Sequence, residues 1–267
     1  MRKRLKKNMR VLRTLFSLRF HGMTVFRLDF FSPFFVDGSL FLIQLLAFGA
    51  VYANVDSIGS WGRGEMILYI GSFSLINALN MTIYFFGVNG IPGKVKSGEL
   101  DLYLSKPVSP LFRLTFENIT PGSIPLILLS ICIIGYGIGI SDIELTVPGT
   151  GAYIFWILIM TVLYYDMAVL IRSVSLYFVT MARMEQIEEA GLGLCMTLPG
   201  IAFYGVYKVI FYLILPYGII ATLPVQSMVG ELEPGMAAYG IGIVVLFSLL
   251  TGVVWKKGLR HYNSASS

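Results

Sequence analysis

Among the polar side chains within the apolar stretches of this sequence, three are candidate site residues: Asn77, Asn80 and Asp166. Asn77 and Asn80 stand three positions apart, so a helix would place them on one face. An amide or carboxylate inside a bilayer is costly and faces protein or water rather than lipid. The three side chains therefore line a translocation path, or they hydrogen-bond neighbouring helices and stabilise their packing. The sequence leaves both interpretations open.

A second group of chemistry-bearing residues, from Lys94 to Pro107, has the ends of a short helix. Ser97 is predicted as the N-cap, because its hydroxyl can accept from the first free backbone N–H groups. Glu99 and Asp101 then fall in the first turn, where the helix dipole favours negative charge. Leu100, Tyr103 and Leu104 would form one apolar face of this helix. Lys106 would stand near its C-terminal end, and Pro107 would stop it.

Another short helix is predicted directly after the first. Ser109 would cap it, Pro110 would occupy its first position, and it would end near Pro121-Gly122. Two short amphipathic helices between apolar segments suit a docking element for another protein. They also suit a connector that lies on the membrane and has no partner, and this alternative stays open.

The patterns needed for catalysis or cofactor binding are missing. The stretch that ends in Gly93-Lys94 has Val88 and Val95 where a phosphate-binding loop needs glycine and Ser or Thr. No nucleophile–base pair or metal-ligand cluster can be recognised, since the chain has only two histidines and two cysteines, all well separated. We therefore expect neither an enzyme nor a metal site, and any ATP and Mg²⁺ would have to be bound by a partner.

The elements that carry these residues are apolar helices. The chain has 267 residues, of which 56% are hydrophobic and only 13% are charged, against about 25% charged in soluble domains. A bilayer needs about 20 apolar residues in a helix. Six stretches qualify, so we predict an all-α membrane protein with spans at 33–53, 66–88, 122–140, 152–175, 203–222 and 237–255. Pro199, Pro216 and Pro224 lie in and around the fifth stretch, so an interfacial or re-entrant course for part of it stays open.

The distribution of charge predicts the orientation of these spans. With the N-terminus inside, the cytoplasmic segments hold seventeen of the twenty Lys and Arg residues, and the external loops hold only Arg63. Such asymmetry is typical of positive-inside topology. We therefore expect a multi-pass protein of the cell (inner) membrane with both termini in the cytoplasm. Nine of the basic residues lie in the first 27. They favour contact with anionic lipid over nucleic acid, because the apolar stretches of the chain begin directly after them.

Three segments follow from this pattern. Residues 1–32 are predicted to form a basic amphipathic helix in the membrane interface, and Ser32-Pro33 is predicted to turn the chain into the first span. Residues 33–255 form the transmembrane domain, with a cytoplasmic loop at 89–121, and 256–267 form a cytoplasmic tail.

The loop resembles the signature of the ABC-2 family of transporter permeases. The match comprises Lys96-Ser97-Gly98-Glu99-Leu100-Asp101, Leu104-Ser105-Lys106-Pro107 and Ser109-Pro110-Leu111, with lysines at 96 and 106 where arginine is common. Weaker similarity covers most of the chain. The resemblance implies a six-span permease that pairs with a second permease, either a copy or a paralogue. It also implies that Lys96–Asp101, Lys106 and Pro107 couple the permease to a separate cytoplasmic ABC ATPase.

Two transport hypotheses remain at this stage. The first is the transmembrane subunit of an ATP-driven exporter. The second is a secondary transporter or channel that works without an ATPase, which would favour several ionisable residues at helix breaks near the midplane. Asp166 is the one clear candidate for such a residue, and no inverted repeat is recognisable. The sequence therefore favours the exporter and names no substrate.

Overall fold

The computed structural model describes residues 27–141, 143–178 and 182–262, with side chains from residue 34 onward except at 182 and 183. Every regular element in these ranges is helical, apart from one bridge between Ile58 and Trp61. We number the α-helices α1 Arg27–Val51, α2 Arg63–Ile83, α3 Phe85–Asn89, α4 Ile91–Ser97, α5 Asp101–Leu104, α6 Pro110–Glu117, α7 Ile124–Ile140, α8 Val147–Ser173, α9 Ala182–Thr197, α10 Gly205–Val209, α11 Thr222–Val229 and α12 Pro234–His261.

Five long helices are apolar enough to cross a bilayer: α1, α2, α7, α8 and α12. They confirm the all-α membrane fold and five of the six predicted spans to within a few residues. The first of these begins earlier than predicted, since the predicted turn at Ser32-Pro33 lies inside α1. Proline removes one backbone hydrogen bond, and membrane helices tolerate this loss. The predicted amphipathic helix at 1–32 falls mostly outside the described residues.

The bundle has two distinct ends. The connector (residues 84–120), which contains α3 to α6, lies at one end, and we call this the connector end. At the opposite end, the loop after α1 meets the loop after α11. There the Ser60 hydroxyl and the Trp61 indole N–H both donate to Glu231, at 3.1 and 3.2 Å.

Helix α2 lies in the centre of the bundle and packs closely against α7. A Cβ atom added at Gly71 would lie 2.8 Å from Ile134, and one added at Gly137 would lie 2.7 Å from the backbone of Leu68. These glycines therefore allow the two backbones to approach as small residues do at membrane helix interfaces.

Helix α9 carries the chain from the connector end to the opposite end. It starts a few residues after α8 ends, and its last turn reaches Tyr69 in the first half of α2, where the Tyr69 hydroxyl donates to the Cys195 carbonyl oxygen. Ile201 then lies against Gly59 in the opposite-end loop. Sixteen helical residues span about 24 Å, which with the following turn matches the thickness of the bilayer core.

The segment predicted as the fifth span, 203–222, has a different structure. Gly205–Ile214 and Pro216–Val229 form two limbs bent by 83°. The first limb follows Ile201 and the second leads into Glu231, so the segment as a whole starts and finishes at the opposite end. Pro216 explains the break, because proline disfavours helical geometry in the residue before it. We therefore assign the fifth crossing to α9 and describe 203–229 as a re-entrant hairpin.

Candidate functional sites: the connector and a buried polar cluster

Within the connector, Gly98 divides the predicted first helix into two. Helix α4 ends at Ser97, and Gly98 has φ of 76°, a left-handed conformation that favours glycine. Ser97 is therefore the last residue of α4 and not the N-cap of a longer helix, so that prediction was wrong. Its hydroxyl still accepts a bond of 3.4 Å from the Glu99 backbone N–H. The second helix starts at Pro110 as predicted, although Ser109 makes no side-chain cap.

The apolar residues of the connector separate into buried and exposed sets. Leu100 is fully buried and Tyr103 is nearly so, in a cluster that also contains Leu114 and, from α12, Trp255. Leu104, predicted on the same face, is exposed. Leu100 thus anchors the connector to the end of the bundle, and it is too deep to contact a partner directly.

A polar network fixes the connector helices relative to one another. The Lys94 ammonium donates to the Tyr103 hydroxyl at 2.8 Å, and that hydroxyl donates to Glu117 at 2.7 Å. Burial alone lowers the pKa of Lys94, but the bond to Tyr103 and the carboxylates of Glu117 and Glu99 outweigh burial and raise it above 10.5. Lys94 is therefore a permanent cation at neutral pH, and the connector is a folded unit rather than a loose loop.

The surface that this unit presents mixes charged and apolar side chains. Leu102 is 64% exposed, and the residues around it that are exposed include five of the sequence-predicted coupling positions: Lys96, Ser97, Glu99, Lys106 and Pro107. We call Leu102 and these five residues the connector face. Gly98 and Asp101 are half-buried, and Asp101 lies beside Tyr262, whose pKa is raised by burial and by that carboxylate.

Comparison with known proteins agrees with this architecture. A family model described as ABC-2 family transporter protein matches residues 39–266, which is most of the chain and includes the whole connector. The chain belongs to the ABC-2 family of transporter proteins. It is therefore a multi-pass membrane permease of an ABC transporter, and the family's permeases are not themselves the ATPase. No curated protein and no solved structure matched the chain.

A buried polar cluster lies next to the connector in this ABC-2 permease. The Arg172 guanidinium on α8 forms an ion pair with Glu188 on α9. The same guanidinium donates to the side-chain oxygen of Asn89, at 3.0 Å from Nη2 and 3.3 Å from Nε. On the other side, the Tyr217 hydroxyl of the re-entrant hairpin donates to Glu188 at 3.3 Å. One cation thus links the connector, α8 and α9, and through Glu188 it links to the hairpin.

The three predicted path residues of the permease lie in different surroundings. Asn80 is buried next to the polar cluster, whereas Asn77, one turn earlier, is half-buried. The Asp166 carboxylate accepts a hydrogen bond from Ser248, so it lies between α8 and α12. The structure therefore brings Asn80 alone to the polar cluster, and a transport role for any of the three stays a prediction.

Sequence reasoning missed the members of this cluster on α9. Glu188 follows a stretch that contains Arg183, Glu185 and Gln186, so the segment resembles a polar loop. One signal was present: Arg172 lies within an apolar stretch, and a charge at such a position requires a partner. Glu188, sixteen residues later, is among the nearest carboxylates that follow Arg172 in the chain.

Proposed function

We propose that this permease is the transmembrane subunit of an ATP-driven exporter, and that a separate cytoplasmic ABC ATPase docks on the connector face. The observation that carries the proposal is the connector itself. It is a folded unit, anchored by Leu100 and fixed by the Lys94–Tyr103–Glu117 network, that exposes Leu102 among charges. Such a rigid surface can transmit force from a partner, which a loose loop cannot.

Charge supports a cytoplasmic location for the connector end. The loop 89–121 contains Lys94, Lys96, Lys106 and Arg113, and the other segments expected on that side are also basic. In the described parts of the chain, the basic residues of the opposite end are Arg63 in its loop and Lys208 in the first limb of the re-entrant hairpin. By the positive-inside rule, both termini and the connector face the cytoplasm, where an ATPase has ATP and Mg²⁺ available.

A second permease is supported by the exposed face of α9. The polar side chains of Gln186, Glu189 and Thr197 are exposed at helical spacing, with Gly193 on the same face, along a helix that crosses the bundle. Polar side chains at membrane depth face protein or a water-filled cavity rather than lipid. We infer that this face lines a path between two permeases, each either a copy of this chain or a paralogue.

The contacts of the connector suggest how ATP hydrolysis would move the helices. Closure of the ATPase would press on the connector face, and Leu100 would pass the force to the ends of α8 and α12. Asn89 would pass it through Arg172 to α9, the helix that carries the polar face. The polar cluster lies near the connector end, which is the side from which an exporter loads its substrate.

The experiment is affinity purification of the tagged permease in mild detergent from its own host. We expect an ABC ATPase to co-purify with the wild type. Leu102→Glu should lower the recovery of ATPase about tenfold or more, as expected for the loss of a central interface contact, without changing membrane insertion. Val147→Glu is the matched control, because Val147 is 89% exposed at the start of α8 and lies at the opposite end.

Two outcomes would contradict the proposal. One is recovery of the wild-type permease without any ATPase, together with solute flux by the purified chain alone, which would favour a channel or secondary transporter. The other is equal recovery of ATPase with Leu102→Glu and Val147→Glu, which would place the docking surface elsewhere.

A further inference from the structure

A small cavity of about 150 Å³ lies inside the permease beside the polar cluster. Its polar lining comes from α2, α8, α9 and the connector, and comprises Asn80, Tyr164, Arg172, Glu188, Glu189 and Asn89. Asn89 and Glu189 are exposed whereas the other four are buried. The cavity therefore opens at Asn89 and Glu189, on the face of α9 that we assign to the space between two permeases.

Asn80 brings an unsatisfied acceptor to this cavity. The residue is 2% exposed, and its side-chain oxygen has no hydrogen-bond partner. Buried polar atoms in native proteins are almost always hydrogen-bonded, so an exception calls for a specific explanation. A ligand that donates a hydrogen bond would supply the missing partner.

The charges around the cavity favour a cation. Arg172 and Glu188 neutralise each other as an ion pair. Glu189 makes no ion pair with any residue in the described parts of the chain, so the lining carries one uncompensated negative charge. The lining thus holds one neutral acceptor at Asn80 and one charged acceptor at Glu189, and an anionic ligand would be repelled.

The size and the remaining lining define the rest of the ligand. A cavity of this volume holds a group of about six heavy atoms, which excludes a sugar chain or a nucleotide. The other lining residues are apolar and include Phe85, Val88 and Leu192. The complementary group is a small ammonium head that carries N–H donors and is attached to an apolar body.

We propose that this cavity is a head-group subsite for an amphiphilic primary or secondary ammonium compound, with Asn80 and Glu189 accepting its N–H bonds. The inference rests on the proposed transport function, which it deepens by naming a substrate class. Since the connector residue Asn89 lies at the mouth and binds Arg172, an occupied subsite is in direct contact with the unit that the ATPase would move.

The test uses the purified full-length permease in detergent, without ATPase, and measures the shift of its thermal midpoint with added probe. The probes are n-octylammonium, octyltrimethylammonium, n-octanol and octanoate at matched concentrations. Octylammonium should give the largest shift, because octyltrimethylammonium has the charge without N–H donors and octanol has a donor without the charge. Glu189→Gln and Asn80→Leu should each weaken octylammonium binding about tenfold.

Matched variants separate the subsite from general effects of mutation. Asn77→Leu and Glu185→Gln lie one turn away on the same helices, do not line the cavity, and should bind octylammonium as the wild type does. If Asn80→Leu does not fold, Asn80→Asp replaces it. This variant keeps a carbonyl-type acceptor, and a bound ammonium would stabilise its ionised form, so it should bind octylammonium at least as tightly as the wild type.

The proposal is overturned if octanol or octyltrimethylammonium shifts the midpoint as much as octylammonium, or if all variants respond alike, which would indicate a cavity that holds only water. Co-purification of the ATPase with the same variants distinguishes the two proposals. Lost ammonium selectivity with the ATPase still captured would refute the subsite alone, whereas a permease that captures no ATPase would refute the proposed function.

Discussion

Removing one member of the Arg172–Glu188 pair should destabilise the permease far more than the chemistry of a single side chain suggests. The two side chains are only 9% and 4% exposed. Arg172→Met leaves the Glu188 carboxylate buried with only the Tyr217 hydroxyl as donor, and Glu188→Met leaves a buried guanidinium. Each should cost about 3–5 kcal/mol of unfolding free energy. In a chain of this length, that corresponds to a drop of about 10 °C in the thermal midpoint.

The double variant provides the decisive comparison. With both charges replaced by methionine, the main defect left is the Tyr217 hydroxyl without its acceptor, at about 1–3 kcal/mol. The double variant should therefore be more stable than either single variant, with a favourable coupling energy of about 3 kcal/mol or more. Thermal unfolding of the four proteins in one detergent measures this. If the two single losses simply add, or if each stays below about 1 kcal/mol, the side chains are not a buried pair and the link from connector to α9 is lost.

Three further predictions concern the connector. Leu100→Ala should lower the free energy of unfolding by about 2–5 kcal/mol because it empties a buried site, whereas Leu102→Ala should change it by less than about 0.5 kcal/mol; equal effects would contradict the assigned burial. Gly98→Ala should lower the free energy of unfolding by about 1–2 kcal/mol, because a positive φ strains any residue with a side chain. It should also speed tryptic cleavage at Lys96, and unchanged cleavage would argue against the left-handed turn at Gly98. The stability that Lys94 contributes relative to Lys94→Met should be constant from about pH 7 to 9.5. It should shrink only above about pH 10.5, since the folded-state pKa of Lys94 is raised; a loss nearer neutral pH would refute the network.

The sequence predicted the elements whose signals are local. Five spans are recognisable because each is a long apolar run, and the second connector helix is recognisable because Pro110 marks its start. In the first connector helix, the same reasoning assigned Ser97 to the start of a helix, whereas Ser97 is the last residue of α4. The pattern of Gly98 and its neighbours fits either a cap at the start of a helix or a left-handed turn at its end, and only packing of Leu100 decides between them.

The parts that could not be predicted depend on contacts between distant residues. Helix α9 is too polar for a lipid-exposed span. It crosses the bundle because Arg172 neutralises Glu188 and because the Tyr69 hydroxyl donates a hydrogen bond to the Cys195 carbonyl oxygen in the last turn of α9. The segment 203–229 is as apolar as a span, and its prolines left both a span and a re-entrant course open; only the contacts of its two ends favour the turn at Pro216. The polar cavity follows from the placement of α9 beside α2, α8 and the connector, so of its lining only Asn80 was identified as a candidate from the sequence.

Contact between the connector face and an ATPase is the central claim, and site-specific photo-crosslinking tests it most directly. A benzoylphenylalanine at position 102 and another at position 147 place the same reactive group at the two ends of the bundle, both on exposed side chains. In intact cells, the group at 102 should crosslink to a chain that carries a nucleotide-binding motif, and the group at 147 should not. Crosslinks from 147 to that ATPase, or their absence from 102 when the ATPase is expressed, would contradict the account.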